Sequence, residues 1–327
     1  MPPFPNPEPH HTFTAAPEIA ALDAHFASRQ VPTPGAGRLL LASWNIANLG
    51  EQKRSDAALE VIAHILKRFD LCAVQEVKDD FRHFVTVVER MGTGFDYVMT
   101  DTAGNDERLA FVYRKSRVSC GNLFAELALH PREYPKRTVK VRWEKDGQPQ
   151  VQVFEKMLFE PFDRTPYIGS FASGKIDFTL ANVHLYFGKF EEAKTERERR
   201  QFARRVLEIY ALSRWADRYI KQGMPYDRDV ILLGDMNIPR MEGTNPAYTA
   251  LTEFKWHPLD YLAAPAGAAT SATPATPESA FISKVGGSNL GGDSSYDQMV
   301  FAPQGISLDF YQRIQRFGVF DFDNVVF

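Results

Sequence analysis

The chain has 327 residues, 44% of them hydrophobic and 24% charged, with 38 Lys and Arg against 41 Asp and Glu. This is the composition of a soluble globular protein that can bury a full core, as one large domain or two small ones. The near-neutral balance excludes a molecule that grips a polyanion with its whole surface, so any hold on nucleic acid must come from a local basic face.

In chain order, residues 1–36 are rich in Pro and Ala and close on "VPTPGAG". They read as an extended arm, with a short helix over "APEIAALDAHFAS". The opening residues lack a basic segment followed by an apolar run, so neither a signal peptide nor an anchor is expected. No stretch approaches the apolar length of a membrane span, and a cytoplasmic location with no membrane partner is expected. Two cysteines are present; Cys72 sits in the apolar run "DLCAVQEV" and reads as a packed thiol, in keeping with a reducing compartment.

The domain, 37–327, begins with "RLLLASWNIANLG", an apolar strand running into a polar loop at Asn45. A helix follows with Leu59, Ile62, Ile65 and Leu66 on one face and Ser55 or Asp56 as its cap. "DLCAVQEV" is a second buried strand, and a helix carrying Phe81, Phe84, Val85 and Val88 comes next. "DYVMTD" and "ERLAFVYRKSRVSC" read as strands. Around Asp146-Gly147 and again around Ser173-Gly174, alternating segments read as hairpins. A charged helix is expected over about 190–221, with Phe202, Val206, Ile209, Leu212, Ala216 and Tyr219 at helical spacing. "DVILLGDMN" and "SSYDQMVFA" are late strands, separated by the low-complexity loop "LAAPAGAATSATPATPESA", which reads as a surface excursion. The mixture of buried strands and hairpins predicts one α/β domain of two packed mixed sheets with helices outside.

Several buried strands end in polar side chains that are costly to bury without partners. They are Asn45, Gln75-Glu76, His184, Asp235 with Asn237, and Asp297. Singly, each has a plain structural role: Asn45 and Asn237 as turn residues, Glu76 as a helix cap, His184 as a satisfied core histidine, Arg108 as a solvated partner of Glu107. Together they form a hard-oxygen pocket suited to Mg²⁺ or Mn²⁺, with a histidine in reach of a phosphate oxygen or leaving group. Side-chain alternation puts Asp235 and Asn237 on one face of their strand end.

"SWNIANLG", "AVQEV", "NDERLAFVYR", "RTPYIGSF", "ANVHL", "GDMN" and "SYDQMVF" resemble, in order and rough spacing, the endonuclease/exonuclease/phosphatase superfamily, in particular its deoxyribonuclease I-like branch. The resemblance covers about 38–327. It implies a four-layered α/β sandwich that cleaves phosphate esters with a divalent cation. Carried over residue by residue, it makes Glu76 the principal metal ligand, with Asn45 beside it. His184 becomes a catalytic histidine, with Glu107 orienting it. Arg164, together with Arg108, lies against substrate phosphates. Asp235 and Asn237 orient the attacking water, stabilise the transition state or assist the metal, and Asp297 is the carboxylate partner of a second histidine.

One motif of the superfamily, a Ser-Asp-His on a last core strand, has no match here. Asp321, Asp323 and Asn324 are poor stand-ins, and a shortened chain with an exposed sheet edge, open to dimerisation, is the expectation. The basic face of the long helix, with Arg197, Arg199, Arg200, Arg204 and Arg205, reads as a solvated surface laced with Glu-Arg pairs. The basic, aromatic hairpin around "KRTVKVRWEK" is a candidate to approach a nucleic-acid backbone. The sequence thus predicts a metal-dependent nuclease, with DNA as the favoured partner. A phosphatase or phosphodiesterase for a small or lipid substrate, and a weakened nucleic-acid-binding form, are the alternatives.

Overall fold

The computed structural model describes residues 12–187, 195–222, 226–259, 288, 294–302, 314, 317–320 and 322. The low-complexity loop lies outside them, as do Asp321, Asp323 and Asn324.

Helix α1 (Ala15–Ser28) buries Leu22 and Phe26 against Val61 and Ile65 of α2 (Asp56–Leu66). The chain after α1 is held by guanidinium groups: Arg68 donates to Val31 O at 2.6 Å, and Arg117 donates to the Gly35 and Arg38 carbonyls. Residues 12–36 therefore lie against the body of the domain, where the sequence suggests an extended arm. Of the two candidate caps for α2, the structure selects Ser55, whose Oγ accepts from Ala58 N at 3.1 Å.

The first sheet is built from β1 (Leu41–Leu49), β2 (Leu71–Lys78), β3 (Phe95–Met99) and β4 (Glu107–Arg114), in the order β1-β2-β4-β3. Helix α2 and helix α3 (Arg82–Met91) cover its outer face. "ERLAFVYRKSRVSC" is two strands and not one. The chain turns at Lys115–Val118, where Arg117 N and Val118 N both donate to Arg114 O, and β5 (Ser119–Glu126) joins the other sheet.

A basic hairpin, β6 (Lys136–Lys145) and β7 (Gln148–Leu158), stands apart as its own two-stranded sheet. The second large sheet comprises β5, β8 (Tyr167–Ser173), β9 (Ile176–His184), β10 (Val230–Asp235), β11 (His257–Pro258) and β12 (Asp297–Phe301), in the order β11-β12-β10-β9-β8-β5. Strands β9 and β10 are parallel, joined by the long helix α4 (Glu196–Lys221), which opens on a Thr195/Glu198 capping box. Helix α5 (Pro246–Thr252) packs beside α4.

Three apolar clusters mark the interfaces of four layers. One lies between α2, α3 and the first sheet. The next lies between the two sheets, from Leu71, Ala73, Leu109 and Phe111 on one side and Phe178, Leu180, Ile231 and Leu233 on the other. The last lies between the second sheet and α4, α5 and the hairpin. Strand alternation assigns the rows: on β9, Ala181 and Val183 face α4, while Phe178 and Leu180 face the first sheet. No helix among the described residues is long and apolar enough to cross a membrane.

Gly234, just before Asp235, has φ +133°, and a Cβ there would sit 2.0 Å from the Val183 carbonyl oxygen. Gly234→Ala is expected to destabilise the fold by about 3 kcal/mol, as strained backbone and an overpacked contact combine. The check is a urea midpoint; an unchanged midpoint would show that β9 and β10 do not approach this closely.

Candidate active site

The rows that face between the sheets are apolar for most of their length and turn polar at one end. On β9, Leu180 is followed by Asn182 and then His184; on β10, Leu233 is followed by Asp235; on β4, Phe111 and Leu109 lead back to Glu107. The last apolar layer is closed by a polar clamp across the sheets. Gln75 Nε2 donates to Asn182 Oδ1 at 2.7 Å, and Asn182 Nδ2 donates to the Val74 and Ala110 carbonyls at 3.2 and 3.0 Å. Beyond this clamp the two sheets bring Asn45, Glu76 and Glu107 face to face with His184 and Asp235.

Glu76 would point outward by strict alternation, because Gln75 points inward. A bulge between Val74 and Val77, with Glu76 at φ +60°, turns its side chain back into the cluster. Left-handed backbone costs a non-glycine residue about 1–2 kcal/mol, so the neighbours must hold it there. They do: Glu76 Oε1 accepts from Asn45 Nδ2 at 2.8 Å, and Oε2 accepts from Asn48 N at 2.9 Å. Asn45 Nδ2 also lies 3.1 Å from Asp235 Oδ2, which it bonds.

His184 is 1% exposed and Glu107 2%. His184 Nδ1 sits 2.8 Å from Glu107 Oε2, and Nε2 lies 3.7 Å from both Glu76 Oε1 and Asp235 Oδ2. One ring nitrogen is therefore backed by a carboxylate, and the other faces the gap between two more. Glu107 also accepts from Arg164 Nε at 2.6 Å, from Lys78 Nζ at 3.4 Å and from Asn105 Nδ2. Burial alone raises its pKa, but the bond and charge of His184, the Arg164 guanidinium and Asn105 outweigh it and hold the carboxyl at about 2.

The sign of that shift gives a testable acid sensitivity. A glutamate depressed from 4.5 to about 2 in the fold contributes stability that is complete above its unfolded value and is lost as pH falls toward 2. The contribution is about 3 kcal/mol. Urea midpoints of the wild type should fall more steeply than those of Glu107→Gln as pH drops below about 4.5. Identical pH slopes in the two proteins would remove Glu107 as the origin.

Glu76, Glu107 and His184 offer three ligand atoms within 4.8 Å of one another, a buried group able to hold a divalent cation. Their existing bonds rank them. Glu107 already meets four donors, two of them cationic, whereas among the described residues Glu76 accepts hydrogen bonds from an amide of Asn45 and a backbone N–H, both neutral, with the histidine ring farther off at 3.7 Å. The donor chemistry of Glu76, Asn45 and Asp235 therefore fits a hard cation better than that of Glu107.

Asn237 is placed by a turn, not by alternation. The strand ends at Asp235, whose Oδ1 accepts from Asn237 N at 2.9 Å; Asn237 has φ +54°, and its Nδ2 donates to Leu185 O at 2.9 Å. Asp297 lies opposite Asp235 in the β10–β12 register. Burial and then the Asp235 charge push its carboxyl up to about 7. Among the described residues His184 is the one histidine in this cluster. Arg164 is within it but bound to Glu107 and Asp163. Arg108 is not: strand alternation turns it away from Glu107, to Thr100 O at 2.9 Å and Asp79 Oδ1 at 3.1 Å, with Phe81 beneath its guanidinium. Two further residues join the site: Asn105, the first residue of the "NDERLAFVYR" motif but given no role there, and Lys78, outside any motif, although a lysine ending an otherwise apolar strand carries the same burial signal as Glu76.

The expected solvated arginine face of α4 is corrected in part. Arg197 and Arg200 are exposed, but the hairpin covers Arg199, which stacks 4.2 Å from the Trp143 ring and bonds Gln152. Arg205 is buried over Phe202.

Two face-packed mixed sheets carry an acidic, histidine- and arginine-bearing cluster at one end of their shared core, the arrangement of an α/β sandwich with a single buried polar site between its sheets among the described residues. The chain belongs to the Endonuclease/Exonuclease/phosphatase family, whose sequence model matches residues 42–293. A deoxyribonuclease of Thioalkalivibrio sp. (strain K90mix) is 28% identical over 218 residues, 64% of this chain and 49% of that protein. Deoxyribonuclease-1 of Canis lupus familiaris is 36% identical over 96 residues, 26% of this chain and 33% of that protein. The matches thus span about half and about a third of these relatives. Among solved structures, an endonuclease/exonuclease/phosphatase family protein of Bacteroides thetaiotaomicron is 17% identical, with a TM-score of 0.47, over 86% of this chain and 87% of that one.

Proposed function

We propose that this chain is a divalent-metal-dependent phosphodiesterase of nucleic acid, with DNA endonuclease action as its first assignment. The observation that carries the reading is His184, with Nδ1 backed by Glu107 and Nε2 aimed at the gap between Glu76 and Asp235. A phosphate seated in that gap would meet a donor at Nε2 and repulsion from the two carboxylates. A divalent cation, held by Glu76 and Asn45, would supply the missing positive charge there. Asp235, 3.7 Å from the same Nε2, is placed to hold a water and accept its proton as it attacks phosphorus. As the P–O bond to water forms, the ester P–O bond breaks, and His184, protonated from solvent beforehand, donates its Nε2 proton to the departing oxygen while Glu107 stabilises the imidazolium before transfer. The deoxyribonuclease relatives support nucleic acid as the substrate.

The test is nicking of supercoiled plasmid with Mg²⁺, with Mn²⁺ and with a chelator. Nicking with either metal and none with chelator is the expected result. Equal nicking in chelator would reject the metal requirement. Release of inorganic phosphate from a monoester, without nicking, would move the assignment to a phosphatase.

A further inference from the structure

We propose that Glu208, midway along α4, is a positioning residue of this site, its carboxylate holding the Arg164 loop and the His184 strand end together by accepting one backbone amide from each. The activity arm of the test rests on the phosphodiesterase reading; the structural arm does not.

Glu208 is 1% exposed, on the buried side of a helix that packs Phe202, Ile209 and Leu212 into the core and carries Arg204 and Arg205 one turn before it. A carboxylate there is costly, and an apolar side chain would fill the space without that cost. Its bonds show what it does instead. Oε2 accepts from Tyr186 N at 2.8 Å, and Oε1 accepts from Asp163 N at 3.1 Å. Tyr186 lies past the end of β9 and Asp163 before the start of β8, so neither amide belongs to the strand ladder.

Each amide is next to the chemistry. Tyr186 follows His184 by two residues, and the intervening Leu185 is tied to β10 by Leu185 N to Asp235 O at 2.9 Å and by Asn237 Nδ2 to Leu185 O. Asp163 precedes Arg164, which grips Glu107, and its carbonyl accepts from Gly104 N at 3.0 Å, beside Asn105. One carboxylate on the outer helix thus fixes, from behind, both the histidine and the group that orients its partner. Misplacing such groups by about an ångström lowers rates by up to about a hundredfold.

The charged groups facing Glu208 come from two elements. Arg204 Nε is 3.7 Å away on α4, with Arg205 alongside, and Asp163 brings its own carboxylate from the loop. Burial, opposed by the two amides and Arg204, pushes the Glu208 carboxyl up to about 7.

The experiment follows the Asp163 and Tyr186 amide NMR signals through neutral pH and measures kcat and KM on plasmid for Glu208→Gln and Glu208→Asp. In the wild type both signals should move together with one midpoint near neutrality, and in Glu208→Gln that joint response should vanish. The Gln variant should lose about 10- to 100-fold in kcat with little change in KM, because a glutamine has one acceptor oxygen for two amides. The Asp variant, charged but shorter, should lie between. Unchanged amide signals in Glu208→Gln with kcat within about twofold of wild type would overturn the proposal. If the Gln variant does not fold, the wild-type titration decides, since separate midpoints or no response also overturn it. Absence of cleavage by the wild type would sink the phosphodiesterase reading, while the amide titration still settles the role of Glu208.

Discussion

His184→Ala is expected to lower kcat for plasmid nicking by about a thousandfold while KM stays within about threefold. The imidazole is buried behind the cluster, and in the proposed mechanism its Nε2 proton moves only as charge develops on the departing oxygen, so its contribution would fall on the transition state. Its partner contacts make the prediction specific. With the ring gone, Glu107 keeps Arg164, Lys78 and Asn105, so the carboxylate stays paired and the fold survives. A large rise in KM with unchanged kcat would assign His184 to ground-state binding. Undiminished nicking would remove it from the mechanism altogether.

Glu76→Ala is expected to abolish the response to Mg²⁺, with at least about a thousandfold loss of nicking at saturating metal, equivalent to about 4 kcal/mol of transition-state stabilisation. The reason lies in the contrast between two carboxylates less than 5 Å apart. Glu107 is bonded by two cations and backed by the histidine at 2.8 Å, whereas the hydrogen bonds to Glu76 come from neutral groups, so Glu76 is the less compensated of the two. Calorimetry of Mg²⁺ binding gives the independent readout. Retained binding in Glu76→Ala, with binding lost in Glu107→Gln, would reverse the two roles.

Much of this site is legible in the sequence because the same rows of residues that build the inter-sheet core end in polar groups. Burial cost alone marks Asn45, Glu76, His184 and Asp235, and spacing shows that they end separate strands. The fold is legible for the same reason, since the buried runs at 38–45, 70–77 and 229–235 have few alternatives. What escapes is what depends on chain crossing and local backbone. The strand run 107–120 contains no Gly or Pro to mark its turn, so the switch from one sheet to the other at Lys115–Val118 is silent. The bulge that re-aims Glu76 inverts what period-two alternation says of it. Arg108 follows the alternation rule and so leaves the site that its neighbour Glu107 enters. Helix α5 carries its own start signal, with Asn245 accepting from Ala247 N and Pro246 at its first turn, but seven residues give too little periodicity to stand out. Arg199 of α4 looks solvated because the hairpin that covers it lies some fifty residues earlier in the chain.

The division of the cluster between the sheets has a consequence for how the protein matures. Asn45, Glu76 and Glu107 belong to the half of the chain made first, and His184 and Asp235 to the half made later. On the proposed phosphodiesterase reading neither half alone is competent, because the Glu76 ligand set lies in one and the histidine in the other. The cluster is whole only where the two sheets are packed, with Gln75 bonded to Asn182 across the seam. On the same reading, damage to this seam would thin the active population and leave the turnover of each surviving molecule intact.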